Sequence, residues 1–89
     1  MDGLDNLRNE IDSIDNSILE LLSKRKKTIT KIASIKKKLS KPIIDNEREN
    51  QIVERLKKLS KENGLDENFI ISIYKVILNN SRDEQKSSE

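Results

Sequence analysis

Between Asp5 and Ser40 the chain contains neither proline nor glycine, and apolar side chains return every three or four residues throughout that stretch. Leu7, Ile11, Ile14, Ile18, Leu21, Ile32, Ile35 and Leu39 fall on one stripe, with Arg25 and Thr28 set into its middle. The register holds for about five heptads and predicts one helix over residues 5–40, roughly 50 Å long at 1.5 Å per residue. A helix of that length constrains everything else, because little remains of an 89-residue chain to cover it.

Beyond Ser40 the chain is punctuated. Lys41-Pro42 stops the long helix, since proline disfavours helical geometry in the residue before it and lacks the N–H needed to continue. Asp45 then offers a side-chain cap for a second helix over 46–63, closed by Gly64, a residue suited to the left-handed position after a helix end. Asp66 caps a third over 67–85, and 86–89 read as a frayed, disordered tail. Strand patterns, internal repeats and glycine-rich phosphate loops are absent from the sequence. The expected fold is all-α, one domain over 1–89. Two short helices cover only part of the long stripe, and the rest calls for another copy of the chain, so the expected assembly is an intertwined helical homodimer. A plain coiled coil without a site is the simpler alternative, and it must explain the polar interruptions.

Composition limits the chemistry. With 33% hydrophobic residues, one Tyr, one Phe and no Trp, a single chain buries a modest core, which again favours self-association. Cysteine and histidine are both missing, so disulfides, thiol catalysis and the usual zinc or haem ligands are excluded, and neither metal nor cofactor is expected. Charged residues make up 38% of the chain but balance to +2, an interleaving that gives little drive toward nucleic acid. No apolar run approaches the roughly 18–20 residues that span a bilayer, and "MDGLDNLRNE" lacks the basic-then-apolar pattern of an export signal. The expected location is cytoplasmic, without membrane contact.

The polar interruptions recur in all three predicted helices. Arg25 and Lys36 lie about 20° apart on the helical wheel and roughly three turns apart along it. Asp45, Arg48 and Glu49 share the stripe that continues as Ile52, Leu56 and Leu59, and the stripe Ile70, Ile73, Ile77 runs on into Ser81 and Gln85. A lone charge on a seam is commonly a register-setting or snorkelling residue. Charge from three helices facing one interior must instead be neutralised internally or by a ligand, because unpaired buried charge costs several kcal/mol. The excess of arginine and lysine points to an anion. Arg8 lies about 25 Å before Arg25 and about 100° round the helix, out of reach of the same small ligand within one chain. In an antiparallel pair of long helices, Arg8 of the partner subunit would come near Arg25.

These segments carry a family resemblance. "LRNEIDSIDNSILELLSKR", Lys36, "KPIIDNERENQIVERL" and "NNSRDEQ" together resemble the all-helical, type II chorismate mutases over nearly the whole chain, from about Leu4 to Gln85. The resemblance implies roles position by position. Arg8, acting across the dimer, and Arg25 would bind the two carboxylates of chorismate. Lys36 would contact a carboxylate and the ether oxygen, and Gln85 the same ether oxygen from the opposite side. Asp45, Arg48 and Glu49 would hold the ring hydroxyl and order the basic groups, while Ser81 would bond the ring carboxylate. Thr28 is the visible departure, a polar residue expected beside Ile32 at the cleft floor.

The implied reaction, chorismate to prephenate by an intramolecular rearrangement, needs no nucleophile, general base, metal or cofactor. A protein accelerates it by holding the reactive conformer and placing donors where the breaking C–O bond leaves negative charge. The resemblance implies an isomerase of phenylalanine and tyrosine synthesis, expected to stand alone because 89 residues leave no room for a regulatory or dehydratase domain. Its rivals are an isochorismate-pyruvate lyase of the same fold, which would be expected to lack the acid at Glu49, and a non-catalytic helical interaction module.

Overall fold

The computed structural model describes residues 3–87 and contains three helices, α1 (Gly3–Lys38), α2 (Asn46–Glu62) and α3 (Glu67–Ser87), with no strand among those residues. At 36 residues, α1 accounts for the 58 Å long axis of the chain. α3 packs against both α1 and α2, whereas α1 and α2 do not pack on each other. The molecule is thus a helical hairpin, α2–α3, laid along part of a longer rod.

The C-terminal ends of α1 and α2 close in the same way. The Lys41 amide donates to the Lys36 carbonyl at 2.8 Å and the Ser40 amide to Lys37 at 3.2 Å, while Leu65 donates to Ser60 at 2.8 Å and Gly64 to Lys61 at 3.3 Å. Each is a Schellman closure, and each needs a left-handed residue. Gly64 supplies it at φ 67°, as the sequence predicts. In α1 it is Ser40, at φ 54°, so the helix ends at Lys38, short of the predicted position and ahead of Pro42. The caps of the other ends match expectation: Asp45 Oδ1 accepts from the Arg48 amide at 3.0 Å and Asp66 Oδ2 from the Phe69 amide at 2.9 Å. α3 continues through Lys86 and Ser87, which the sequence pattern assigns to the tail; 88 and 89 lie outside the described residues.

The core is small. Ala33, Ile52 and Leu56 are its buried apolar residues, joined by buried Ser60, Ser81 and Gln85. Ser60 turns its hydroxyl back to the Leu56 carbonyl at 2.7 Å, so it sits inside without an orphaned donor. Arg25 and Lys36 of α1 bond to Ser81 and Gln85 of α3, Leu22, Arg25 and Ile29 line the groove beside α3, and Ala33 is the buried residue of α1, so the inward face is rotated from the predicted stripe. Thr28 is therefore not at the cleft floor. It is exposed and donates to the Lys24 carbonyl at 3.1 Å, and Ile29 takes the place expected for it. The stripe Leu7, Ile11, Ile14, Ile18 and Leu21 is left open, with Leu7 59% and Leu21 62% exposed.

Candidate active site

Where α1, the 39–45 connection, the start of α2 and the end of α3 converge, a cavity of about 250 Å³ opens. Its polar lining is Arg25, Lys36, Asp45, Arg48, Glu49, Ser81 and Gln85, and its apolar lining Ile29, Ile32, Ile52 and Leu78. Seven of the eight residues singled out from the sequence thus line one space. The eighth, Arg8, stands exposed on the open half of α1 and lines neither this cavity nor its neighbour.

Lys36 is the best-held cation. Its Nζ donates to the Ile43 carbonyl at 2.6 Å and to Gln85 Oε1 at 2.9 Å. The first contact comes from the connection that Pro42 and the Schellman closure shape, and the second crosses to α3. An ammonium has three N–H groups, so one more remains to be directed at a ligand. Because Lys36 can only donate, Gln85 must present its carbonyl oxygen to it, which assigns the amide N–H₂ of Gln85 as the donor end. Gln85 is 6% exposed, so this orientation is set by the site and not by solvent.

Arg25 donates through Nη1 to Ser81 Oγ, and Ser81 in turn donates to the Ile77 carbonyl at 2.9 Å. Ser81 therefore braces the guanidinium while its own proton returns to its helix. Asp45, besides lining the cavity, is the N-cap of α2, and its carboxylate holds the Arg48 amide. Glu49 receives a two-pronged contact from Arg82, with Nε to Oε2 at 2.9 Å and Nη2 to Oε1 at 2.5 Å. Hydrogen bonding to Glu49 raises the Arg82 pKa above its ordinary value, with desolvation opposing and charge attraction to Glu49 adding to it.

Arg82 escapes a reading of the sequence by helix stripes, yet a signal for it is there. Glu49 stands 16 residues before Leu65 and Arg82 16 residues after Asp66, so an antiparallel hairpin turning at Leu65–Asp66 brings the two abreast. The electrostatic result is a cation-rich cleft. Arg25, Lys36 and Arg48 line it, while one of its two carboxylates caps a helix and the other is engaged by Arg82. On the far side of Arg25 and Ser81 lies a wider groove of about 520 Å³ between α1 and α3. Its basic Lys26 faces Glu84 at 3.6 Å, so its charge is balanced, and its walls at Leu22, Val76 and Ile77 are apolar.

Fold and site together define an all-helical protein whose three helices gather arginine, lysine and amide donors around one small cleft. The chain belongs to the chorismate mutase type II family, whose family model matches residues 7–86. It is 40% identical over 86 residues to a chorismate mutase of Methanocaldococcus jannaschii, an alignment covering 97% of this chain and 87% of that protein. It is 43% identical over 79 residues to a bifunctional chorismate mutase/prephenate dehydratase of Buchnera aphidicola subsp. Schizaphis graminum, covering 89% of this chain and 20% of the relative. The bifunctional enzyme of Escherichia coli K12 is 31% identical over 75 residues, covering 84% of this chain and 19% of its own length. No helix among the described residues is long and apolar enough to cross a membrane.

Proposed function

We propose that the chain is a chorismate mutase of aromatic amino acid biosynthesis, converting chorismate to prephenate in the cleft between its helices. The observation that carries this reading is the convergence of Arg25, Lys36, Arg48, Glu49, Ser81 and Gln85 on one cavity of small-molecule size. The reaction breaks a C–O bond and forms a C–C bond within one molecule, with no proton transferred. Catalysis then consists of conformational restraint and of charge stabilisation at the ether oxygen.

In this reading Arg25 and the partner's Arg8 grip the two carboxylates and hold the enolpyruvyl side chain over the ring. Ser81 contributes to the ring carboxylate by rotating its hydroxyl away from Ile77. Lys36 and the amide N–H₂ of Gln85 donate to the ether oxygen from two sides as it gains charge. Glu49 accepts from the ring hydroxyl, while Asp45 and Arg48 fix the start of α2 around it.

The assembly is a homodimer with two composite sites. The exposed stripe from Leu7 to Leu21 supports it, as does the apolar groove beside Arg25, where the partner's α1 would lie. A solitary chain would leave that stripe in water, against the roughly 25 cal/mol gained per Å² of apolar surface covered.

Incubating the purified protein with chorismate, following the loss of its absorbance and identifying the product tests the activity. Prephenate formation is the expected result. Pyruvate release in a parallel incubation with isochorismate would indicate the lyase instead, and no turnover of either substrate above the uncatalysed rate would leave a helical interaction module.

A further inference from the structure

Arg82 is not among the residues lining the cavity, yet it grips one that is. Its two contacts to Glu49, at 2.9 and 2.5 Å, take both carboxylate oxygens, and the side chains are 30% and 23% exposed. A planar guanidinium meeting a carboxylate edge-on fixes the plane of that carboxylate as well as its position, which a single contact does not. Each carboxylate oxygen has two acceptor sites, so Glu49 keeps acceptor capacity for a ligand.

We infer that Arg82 is a positioning residue that aims Glu49 at the ring hydroxyl of the substrate and keeps it from collapsing onto the cleft's own cations. This role rests on the cleft being a chorismate mutase site. A glutamate side chain has three rotatable bonds, and without the fork it would sample several rotamers, of which only some address the hydroxyl. The alternative partners are close, because Arg25, Lys36 and Arg48 line the same cavity. A released Glu49 would be drawn to them and would compete with the substrate's carboxylates. Arg82 holds it on the side of α3, and a guanidinium is cationic across the working pH range.

The test compares wild type, Arg82→Met and Arg82→Lys on chorismate and on the analogue with hydrogen in place of the ring hydroxyl. Circular dichroism and thermal melting establish the fold of each variant. Arg82→Met is expected to lower kcat/KM on chorismate by about ten- to a hundredfold, as misplacement of a positioning contact does, and to alter turnover of the analogue less than about twofold. Arg82→Lys, with charge but no fork, is expected to fall between. In a Glu49→Gln background, Arg82→Met should add nothing further. Equal losses on both substrates, an undiminished loss in the Glu49→Gln background, or no loss on chorismate overturns the inference. If Arg82→Met does not fold, Arg82→Lys decides by the same substrate comparison. Failure of the wild type to convert chorismate overturns the functional reading and the inference together, whereas an active wild type with substrate-independent losses overturns the inference alone.

Discussion

Replacing Lys36 with alanine is the most direct probe of where charge develops. Two of the three ammonium protons are engaged, by Ile43 at 2.6 Å and Gln85 at 2.9 Å, and in the proposed role this tether would remove the cost of orienting the third during the reaction. Loss of one preorganised donor typically lowers kcat by 10²–10³, about 2.7–4 kcal/mol. Lys36 also fixes which end of the Gln85 amide faces the cleft. Its removal loosens the second donor too, so the expected loss lies at the upper end, about 4 kcal/mol or roughly a thousandfold in kcat. The ether oxygen is uncharged in the ground state, and KM should rise by less than about tenfold. Arginine at this position should not rescue, because a fork cannot reproduce a point donor held from two sides. Steady-state kinetics with chorismate, beside circular dichroism of each variant, provide the measurement. A change confined to KM would refute the placement of Lys36 at the breaking bond.

Further outcomes are expected. Arg8→Ala and Arg25→Ala should each abolish most turnover, yet after verified subunit exchange a one-to-one mixture should recover about a quarter of the wild-type activity, since with the proposed composite sites one site of each mixed dimer would carry neither change; no recovery argues against shared sites. The pH profile of kcat should be flat from about pH 6 to 8.5, because the chain has no histidine and the Arg82 pKa is raised, so that its charge is intact below the ordinary arginine value and is lost only beyond it. Gln85→Glu should be nearly inactive at neutral pH and recover in acid, because the adjacent Lys36 ammonium favours an ionised carboxyl that cannot donate, and a flat profile for this variant would count against Gln85 as the donor. Ser40→Gly should stabilise the protein by about 1 kcal/mol in denaturant melts by relieving the left-handed conformation of Ser40, and Asp45→Ala should cost about 1 kcal/mol through loss of the α2 cap while Asp45→Asn retains it.

Helix periodicity made most of the architecture readable, because caps and stops are local. Asp45, Gly64 and Asp66 each act within a few residues of their own position, and the structure places each where its chemistry demands. Ser40 was not readable, since a serine forced to positive φ carries no local mark; the helix closes there because the connection to α2 must turn. The face of α1 that meets α3 also lay beyond periodicity. Two apolar stripes flank Arg25, one through Thr28 and Ile35 and one through Ile29 and Ala33, and the choice between them depends on how closely α3 can approach. For the cleft, residue type was informative because charge on a seam is expensive wherever it is not used. Glu49 showed in the sequence for that reason, but its partner Arg82 did not, because a polar residue one position beyond Ser81 looks like ordinary helix surface until the hairpin register pairs them.

The absence of direct packing between α1 and α2 has a consequence for what a ligand does to the protein. Their mutual angle is set at second hand, through α3 and the short 39–45 connection, which Lys36 of α1 holds through the Ile43 carbonyl. A molecule seated in the cleft would touch the last turns of α1 and the first turns of α2 at once, and so act as the missing strut of the triangle. Occupancy should then slow amide hydrogen exchange at those two helix ends in concert, more than along the middle of α3, which is already braced from both sides. Substrate would be a structural member of the enzyme for as long as it stays, and product release the step at which the frame slackens.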